Sequence, residues 1–130
     1  MDPIGDLLSQ IKNAYLVNKK SIEAPWSKNK EALVDLLIKN GFLKKVEVKK
    51  IDKLKKNLLI TLKYDQQRNP ALKEAKRISK PGRRLYSSGN KIPWLLSPKG
   101  RVIISTSQGL MTGRQARKKN IGGELICQVW

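Results

Sequence analysis

From Ile4, apolar residues recur at Leu7, Leu8, Ile11, Ala14 and Tyr15. That is the spacing of one helix face, and it predicts a helix of about four turns. Asp2-Pro3 suits its start, with Asp as N-cap and Pro at the first helical position. Asn18-Lys19-Lys20 ends it with cations where the helix dipole favours them. The period then drops to two at Ile22, Ala24 and Trp26, a short strand that Pro25 places at a sheet edge. Ser27 reads as the next N-cap. Leu33, Leu36 and Leu37 mark a second helix, and Gly41 is placed to end it in a left-handed turn. Val46 and Val48 alternate with Lys45, Glu47 and Lys49. After a turn near Asp52-Lys53, Leu58, Ile60, Leu62 and Tyr64 line one face of a further strand. The predicted order is α-β-α-β-β.

Asp65 to Pro70 is polar and proline-terminated, which predicts a boundary between residues 1–66 and 67–130. Beyond it, strand-like pieces at Ala75–Ser79 and Arg83–Ser87 flank Lys80-Pro81-Gly82, a turn that needs a positive φ at Gly82. Ile92 to Leu96 is a short, proline-broken apolar patch, and Trp94 and Trp130 read as core. Arg101–Thr106 is strand-like. Thr112 and Gln115 have capping-box spacing and predict a short basic helix over Gly113–Lys119. Gly122-Gly123 breaks the chain before a last strand, Glu124–Trp130. The fold class is α+β, the first domain α-β-α-β-β and the second mainly β with one short helix.

Charge changes the picture more than composition does. Lys and Arg number 28 against 10 Asp and Glu, a net charge of +18. Residues 71–130 hold 13 bases and 2 acids, and between Glu74 and Glu124 there is no acid at all. Twelve bases fall in that interval, among them Lys80, Arg83, Arg84, Arg114, Arg117, Lys118 and Lys119. Such a stretch repels itself unless a polyanion supplies the countercharge. Nucleic acid fits better than an anionic membrane, which would call for a basic amphipathic helix or a lipidation signal. A DNA-compacting protein and a basic module docking an acidic protein are the competing classes.

Other chemistry recedes. Histidine is missing, and with it the commonest general base and metal ligand. No phosphate-cradling glycine motif occurs. The lone Cys127 alternates within a strand as a small buried side chain and fits a reducing compartment. Asp2 and Asp6 make the N-terminus unlike a signal or transit peptide. We therefore expect no enzyme, no cofactor, no metal, no membrane span and no small-molecule substrate.

The most specific local feature is Ser105-Thr106-Ser107-Gln108-Gly109, three hydroxyls and an amide closing an apolar strand ahead of a glycine. Hydroxyls make short directional contacts suited to base edges, 2′-hydroxyls and phosphates, and glycine lets backbone approach a ligand. An ordinary polar turn is the competing reading. Tyr86 follows Arg83 and Arg84, an aromatic beside cations that could stack on a base; a half-buried tyrosine is the alternative. Lys28 and Lys30 sit beside a helix N-terminus, as a phosphate site would, or as plain surface lysines.

Taken in order, these residues resemble a known family. Ser105-Thr106-Ser107-x-Gly109, Met111-Thr112, Arg114-x-Ala116-Arg117, Gly122-Gly123-Glu124 and Cys127-x-Val129-Trp130 are similar to the C-terminal region of the small-subunit ribosomal protein S-eight family. Asp2-Pro3-Ile4, Ile11-Lys12-Asn13-Ala14, Pro25-x-Ser27-Lys28, Leu62-Lys63-Tyr64 and Ser79-Lys80-Pro81-Gly82 follow that family's order, so the resemblance spans the chain. It implies a structural ribosomal constituent that binds the central domain of small-subunit rRNA, helps assemble the platform, and neighbours ribosomal proteins S-five and S-twelve. Some bacterial members repress translation of their own messenger RNA. It implies a cytoplasmic ribosome, or an organellar one for an organelle-encoded gene. Carried over by position, it implies that Ser105, Thr106, Ser107 and Gly109 enter an RNA minor groove, and Gln108 joins the candidate set only as the residue between them. Tyr86 and Glu124 would lie nearby, with Lys28 and Lys30 on the first domain. Lys80, Arg83 and Arg84 complete the candidate RNA-binding set as phosphate partners. Glu124 is odd beside phosphates unless it accepts from a base amino group or orients a loop hydroxyl. Gln108 stands where the family often has lysine, which removes one cation from the loop.

Overall fold

The computed structural model describes residues 2–92 and 99–130, so Trp94 and most of the apolar patch around it lie outside the described residues. The chain divides into two compact units, residues 3–73 and residues 74–130 with Asp2. The division falls seven residues later than the sequence suggested. Asp65–Pro70 is a fold-back, not a linker: the Asp65 carboxylate accepts from the amides of Gln67 and Asn69, both at 2.8 Å, and Tyr64 bridges to Pro70. The Ala71 amide then donates to Lys63 O.

In the first unit, α1 spans Pro3–Leu16, β1 Ser21–Pro25, α2 Lys28–Lys39, β2 Leu43–Lys50 and β3 Lys56–Leu62. The order is the predicted one. The antiparallel sheet runs β1-β3-β2, which leaves Pro25 on an edge strand. Ile22, Ala24, Leu58, Ile60 and Leu62 turn to the buried face, where Leu7, Leu8 and Ile11 of α1 and Leu33, Val34 and Leu37 of α2 complete the core. Ser27 caps α2, its Oγ accepting from Lys30 N at 3.2 Å, and Gly41 takes φ +84° after it. Trp26 lies just outside β1. Its Nε1 donates to Glu31, and Lys56 Nζ sits 4.2 Å above its ring.

The second unit is a five-stranded sheet ordered β4-β8-β6-β7, with β5 also paired to β8. Its strands are β4 Ala75–Arg77, β5 Tyr86–Ser87, β6 Arg101–Thr106, β7 Gly109–Thr112 and β8 Gly123–Val129. Helix α3, Gly113–Lys119, has the expected capping box between Thr112 and Gln115. Ile92, Val102, Ile104, Met111, Ala116 and Leu125 form its core. Strand β7 was not anticipated, because only Leu110 and Met111 of its four residues are apolar and pairing with β6 makes it a strand. Asp2, expected as an N-cap, instead places its carboxylate 3.2 Å from Arg77 Nε.

Strand β8 carries one extra residue. Ile103 pairs with Cys127 and Ile104 with Leu125, so Ile126 is unpaired opposite β6. Cys127 is fully buried, and burial pushes its thiol up to about 12, against a smaller lowering by Arg77. It is a packing residue, as its alternation implied. Trp130 is half-buried, with its backbone paired to Glu74 in both directions at 3.0 Å.

Candidate nucleic-acid interface

Strands β6 and β7 form a hairpin whose two-residue turn is Ser107-Gln108, closed by the Thr106–Gly109 pair. Thr106 Oγ1 donates to Gly109 O at 2.9 Å and accepts from Gln108 N at 3.1 Å. Its hydroxyl therefore shapes the loop first. Ser105 and Ser107 are different: among the described residues, neither hydroxyl has a hydrogen-bond partner. Gly109 takes φ +105°, and a Cβ there would meet nothing within 4 Å. Glycine is required here by the backbone angle, and the same geometry leaves the backbone bare.

At the base of this hairpin, strand pairing makes a row. Tyr86 of β5 is opposite Glu124 of β8, Glu124 is opposite Ser105 of β6, and Ser105 is opposite Leu110 of β7. Residues paired directly across antiparallel strands point to the same side, and this side is opposite to the one bearing Ile104 and Leu125. Tyr86 is 70% exposed, so the half-buried alternative falls away. Arg84 Nη1 lies 3.2 Å from Glu124 Oε2, which gives the lone acid of the region a guanidinium partner. The pair explains Glu124 without a base amino group or a loop hydroxyl.

The segment leading into β5 is held by one serine. The strand expected over Arg83–Ser87 shrinks to Tyr86–Ser87, because Lys80 and Arg83 close a turn through paired backbone bonds of 3.0 and 2.9 Å with Gly82 at φ +82°. Ser79 is fully buried. Its Oγ accepts from Leu85 N at 2.9 Å and donates to Leu85 O at 3.2 Å, pinning the two ends of the loop that displays Lys80, Arg83 and Arg84. Ser79→Ala strands the Leu85 amide, while Leu85 O keeps the Leu125 amide at 2.9 Å, and is expected to lower the second unit's stability by ~1–3 kcal/mol. Urea denaturation should detect it. Hydrogen exchange should quicken first at residues 79–86.

Sequence reasoning missed Lys119. Its Nζ lies 3.4 Å from Gln108 Oε1, so the last turn of α3 returns a cation to the tip of the hairpin. The only signal was the run Arg117-Lys118-Lys119. Nearby, Arg117 donates to Ile92 O, and the guanidinium pKa of Arg101 is lowered by burial and then by the Arg114 charge. The structure thus sets Tyr86, Glu124 and Ser105 in one row across the sheet that leads to the Ser107-Gln108 turn, with Arg84 paired to Glu124 and with Lys80 and Arg83 exposed on the loop before β5. Lys28 and Lys30 belong to the first unit, in the first turn of α2.

The chain is an α+β protein of two units, with a hydroxyl-rich hairpin turn and Lys119 of α3 beside it. Residues 2–130 match the family described as Ribosomal protein S8. The small ribosomal subunit protein uS8 of Caldanaerobacter subterraneus subsp. tengcongensis is 47% identical over 130 residues, covering 99% of this chain and 97% of that one. The uS8 proteins of Mycoplasmopsis synoviae and Clostridioides difficile are 46% and 42% identical, with the same coverage. The chain belongs to the ribosomal protein S8 family. That family consists of ribosomal proteins and not of enzymes.

Proposed function

We propose that this protein is a structural, primary rRNA-binding component of the small ribosomal subunit. In this reading it binds the central domain of the rRNA, helps assemble the platform and neighbours ribosomal proteins S-five and S-twelve. It works in cytoplasmic ribosomes, and its RNA site also serves repression of its own messenger RNA. The observation that carries the reading is the Ser105 and Ser107 hydroxyls, without a hydrogen-bond partner among the described residues, on a hairpin inside a cationic, nearly acid-free half of the chain. Relatives named as small-subunit proteins support it.

The mechanism divides affinity from recognition. Lys80, Arg83, Lys118, Lys119 and, on the first unit, Lys28 and Lys30 hold phosphates, while Ser105, Ser107 and Tyr86 read the shallow minor groove of a distorted RNA helix. Thr106 and Gly109 shape the turn, Gln108 steers Lys119, and Glu124 orients Arg84. Ser107→Ala is expected to weaken binding to a central-domain rRNA fragment by about 5- to 10-fold, the worth of one hydrogen bond. Binding to scrambled RNA and its salt slope should stay unchanged. Lys118→Ala should weaken both RNAs and reduce the salt slope by about 0.7–0.9. Equal losses on cognate and scrambled RNA for the serine variant would refute the loop's role, and a preference for duplex DNA would favour the compacting alternative.

A further inference from the structure

The β2–β3 hairpin of the first unit has no part in that mechanism. Residues 44–56 carry seven lysines against Glu47 and Asp52. Both acids are engaged locally. Glu47 lies 3.5 Å from Lys45, and Asp52 Oδ1 accepts from the amides of Leu54 and Lys55, each at 2.8 Å. The Ile51 and Asp52 amides also donate to Lys55 O, so backbone and side-chain bonds close the tip.

This turn holds aliphatic side chains out in water. Leu54 is 95% exposed and Ile51 54%, and Val48, three residues before Ile51, is 44% exposed. Ile51 and Leu54 line a shallow open groove of about 730 Å³ together with Lys50, Asp52, Lys53 and Lys56. A phosphate backbone would use the lysines alone. Aliphatic side chains offer no stacking face to a base, so Leu54 and Ile51 would be wasted on single-stranded RNA. A pocket that buries a leucine and is rimmed by carboxylates uses both features, with apolar burial at its centre and opposite charges around it.

We propose that the tip of the β2–β3 hairpin, residues 48–56, is a docking surface for a neighbouring protein. Its partner there has an apolar pocket that receives Leu54 and Ile51, rimmed by Asp and Glu that meet Lys50, Lys53 and Lys55. The inference rests on the proposed place of this chain in the small subunit. The lysines steer the encounter and the two aliphatic side chains anchor it.

The test uses the full-length chain with a benzophenone amino acid in place of Leu54, a position exposed enough to accept it. The chain is assembled into small subunits, irradiated and treated with ribonuclease, and the cross-linked peptide is sequenced. One protein, joined at a segment with apolar residues flanked by Asp or Glu, is expected. Lys53→Glu with Lys55→Glu should lower that cross-link at least tenfold while affinity for the central-domain fragment stays within twofold. A cross-link to rRNA, or none in particles that contain the protein, overturns the docking surface and leaves the function standing. A comparable loss of fragment affinity in the double variant also overturns it, by making the hairpin an RNA contact. A chain that neither enters subunits nor binds the fragment overturns the function, and the docking proposal with it.

Discussion

Gly123→Ala is expected to cost the second unit at least ~3 kcal/mol, the upper end of what overpacking imposes, and to abolish selective RNA binding. A Cβ at Gly123 would lie 2.0 Å from Ser105 O, 2.9 Å from Ser105 C and 3.2 Å from Thr106 Cα. All three atoms are backbone, so no side chain can swing away to make room. Relief requires β8 to part from β6 at the residues that lead into the Ser107-Gln108 turn, which disperses the row of Tyr86, Glu124 and Ser105. Gly122 is confined in the same way on the other flank, 2.3 Å from Ser87 O. Urea denaturation measures the stability loss, and a titration with the central-domain fragment beside scrambled RNA measures the selectivity. A variant as stable as the parent to within ~0.5 kcal/mol, the scale of an ordinary surface substitution, would contradict the close approach of these strands.

Tyr15→Phe is expected to cost the first unit ~2–4 kcal/mol, from two backbone groups left without their partner. The Tyr15 hydroxyl donates to Phe42 O at 2.6 Å and accepts from Lys63 N at 3.0 Å, so one oxygen joins α1, the segment after α2 and the end of β3. Phenylalanine keeps the ring packing, including the edge-on contact with Tyr64 at 5.3 Å between centroids, and removes only the bridge. The pH dependence offers a second reading of the same bond. Burial pushes the hydroxyl up to about 12 from 10.0. Folding favours the protonated form, so its contribution is complete below pH 10 and is lost as pH rises from 10 through about 12. The stability gap between parent and variant, measured by denaturation at stepped pH, should narrow over that window. A gap that persists unchanged would mean the hydroxyl does not supply it.

What could be read from the sequence was what short-range chemistry decides. Helices α1 and α2 were legible from apolar spacing, α2 and α3 from their caps, and β6 from its run of Val102, Ile103 and Ile104. Strand β7 was not legible, because Gly109–Thr112 has no pattern of its own and becomes a strand only beside β6. The compact units divide after residue 73 and not after 66, because Asp65 bends the chain back toward Lys63. At the candidate site the hydroxyl-rich loop was visible as residue types. Its separation into a shaping hydroxyl on Thr106 and ones on Ser105 and Ser107 that have no partner among the described residues was not, since it depends on bonds across the turn. Arg84 and Glu124 stand 40 residues apart, and nothing local pairs them.

The unpaired Ile126 in β8 sets the parity of everything between it and the hairpin. Were the pairing of Ile103 with Cys127 to continue unbroken, Ser105 would lie opposite Leu125. Glu124 would then fall opposite Thr106, on the side that carries Val102 and Ile104. A carboxylate would enter the core and a leucine would take its place beside Ser105. Point substitutions along the row can therefore be absorbed one at a time, whereas a single-residue insertion or deletion in either strand exchanges inside for outside. A graft of this hairpin onto another sheet must carry β8 through Cys127, irregularity included, or it will present the wrong face.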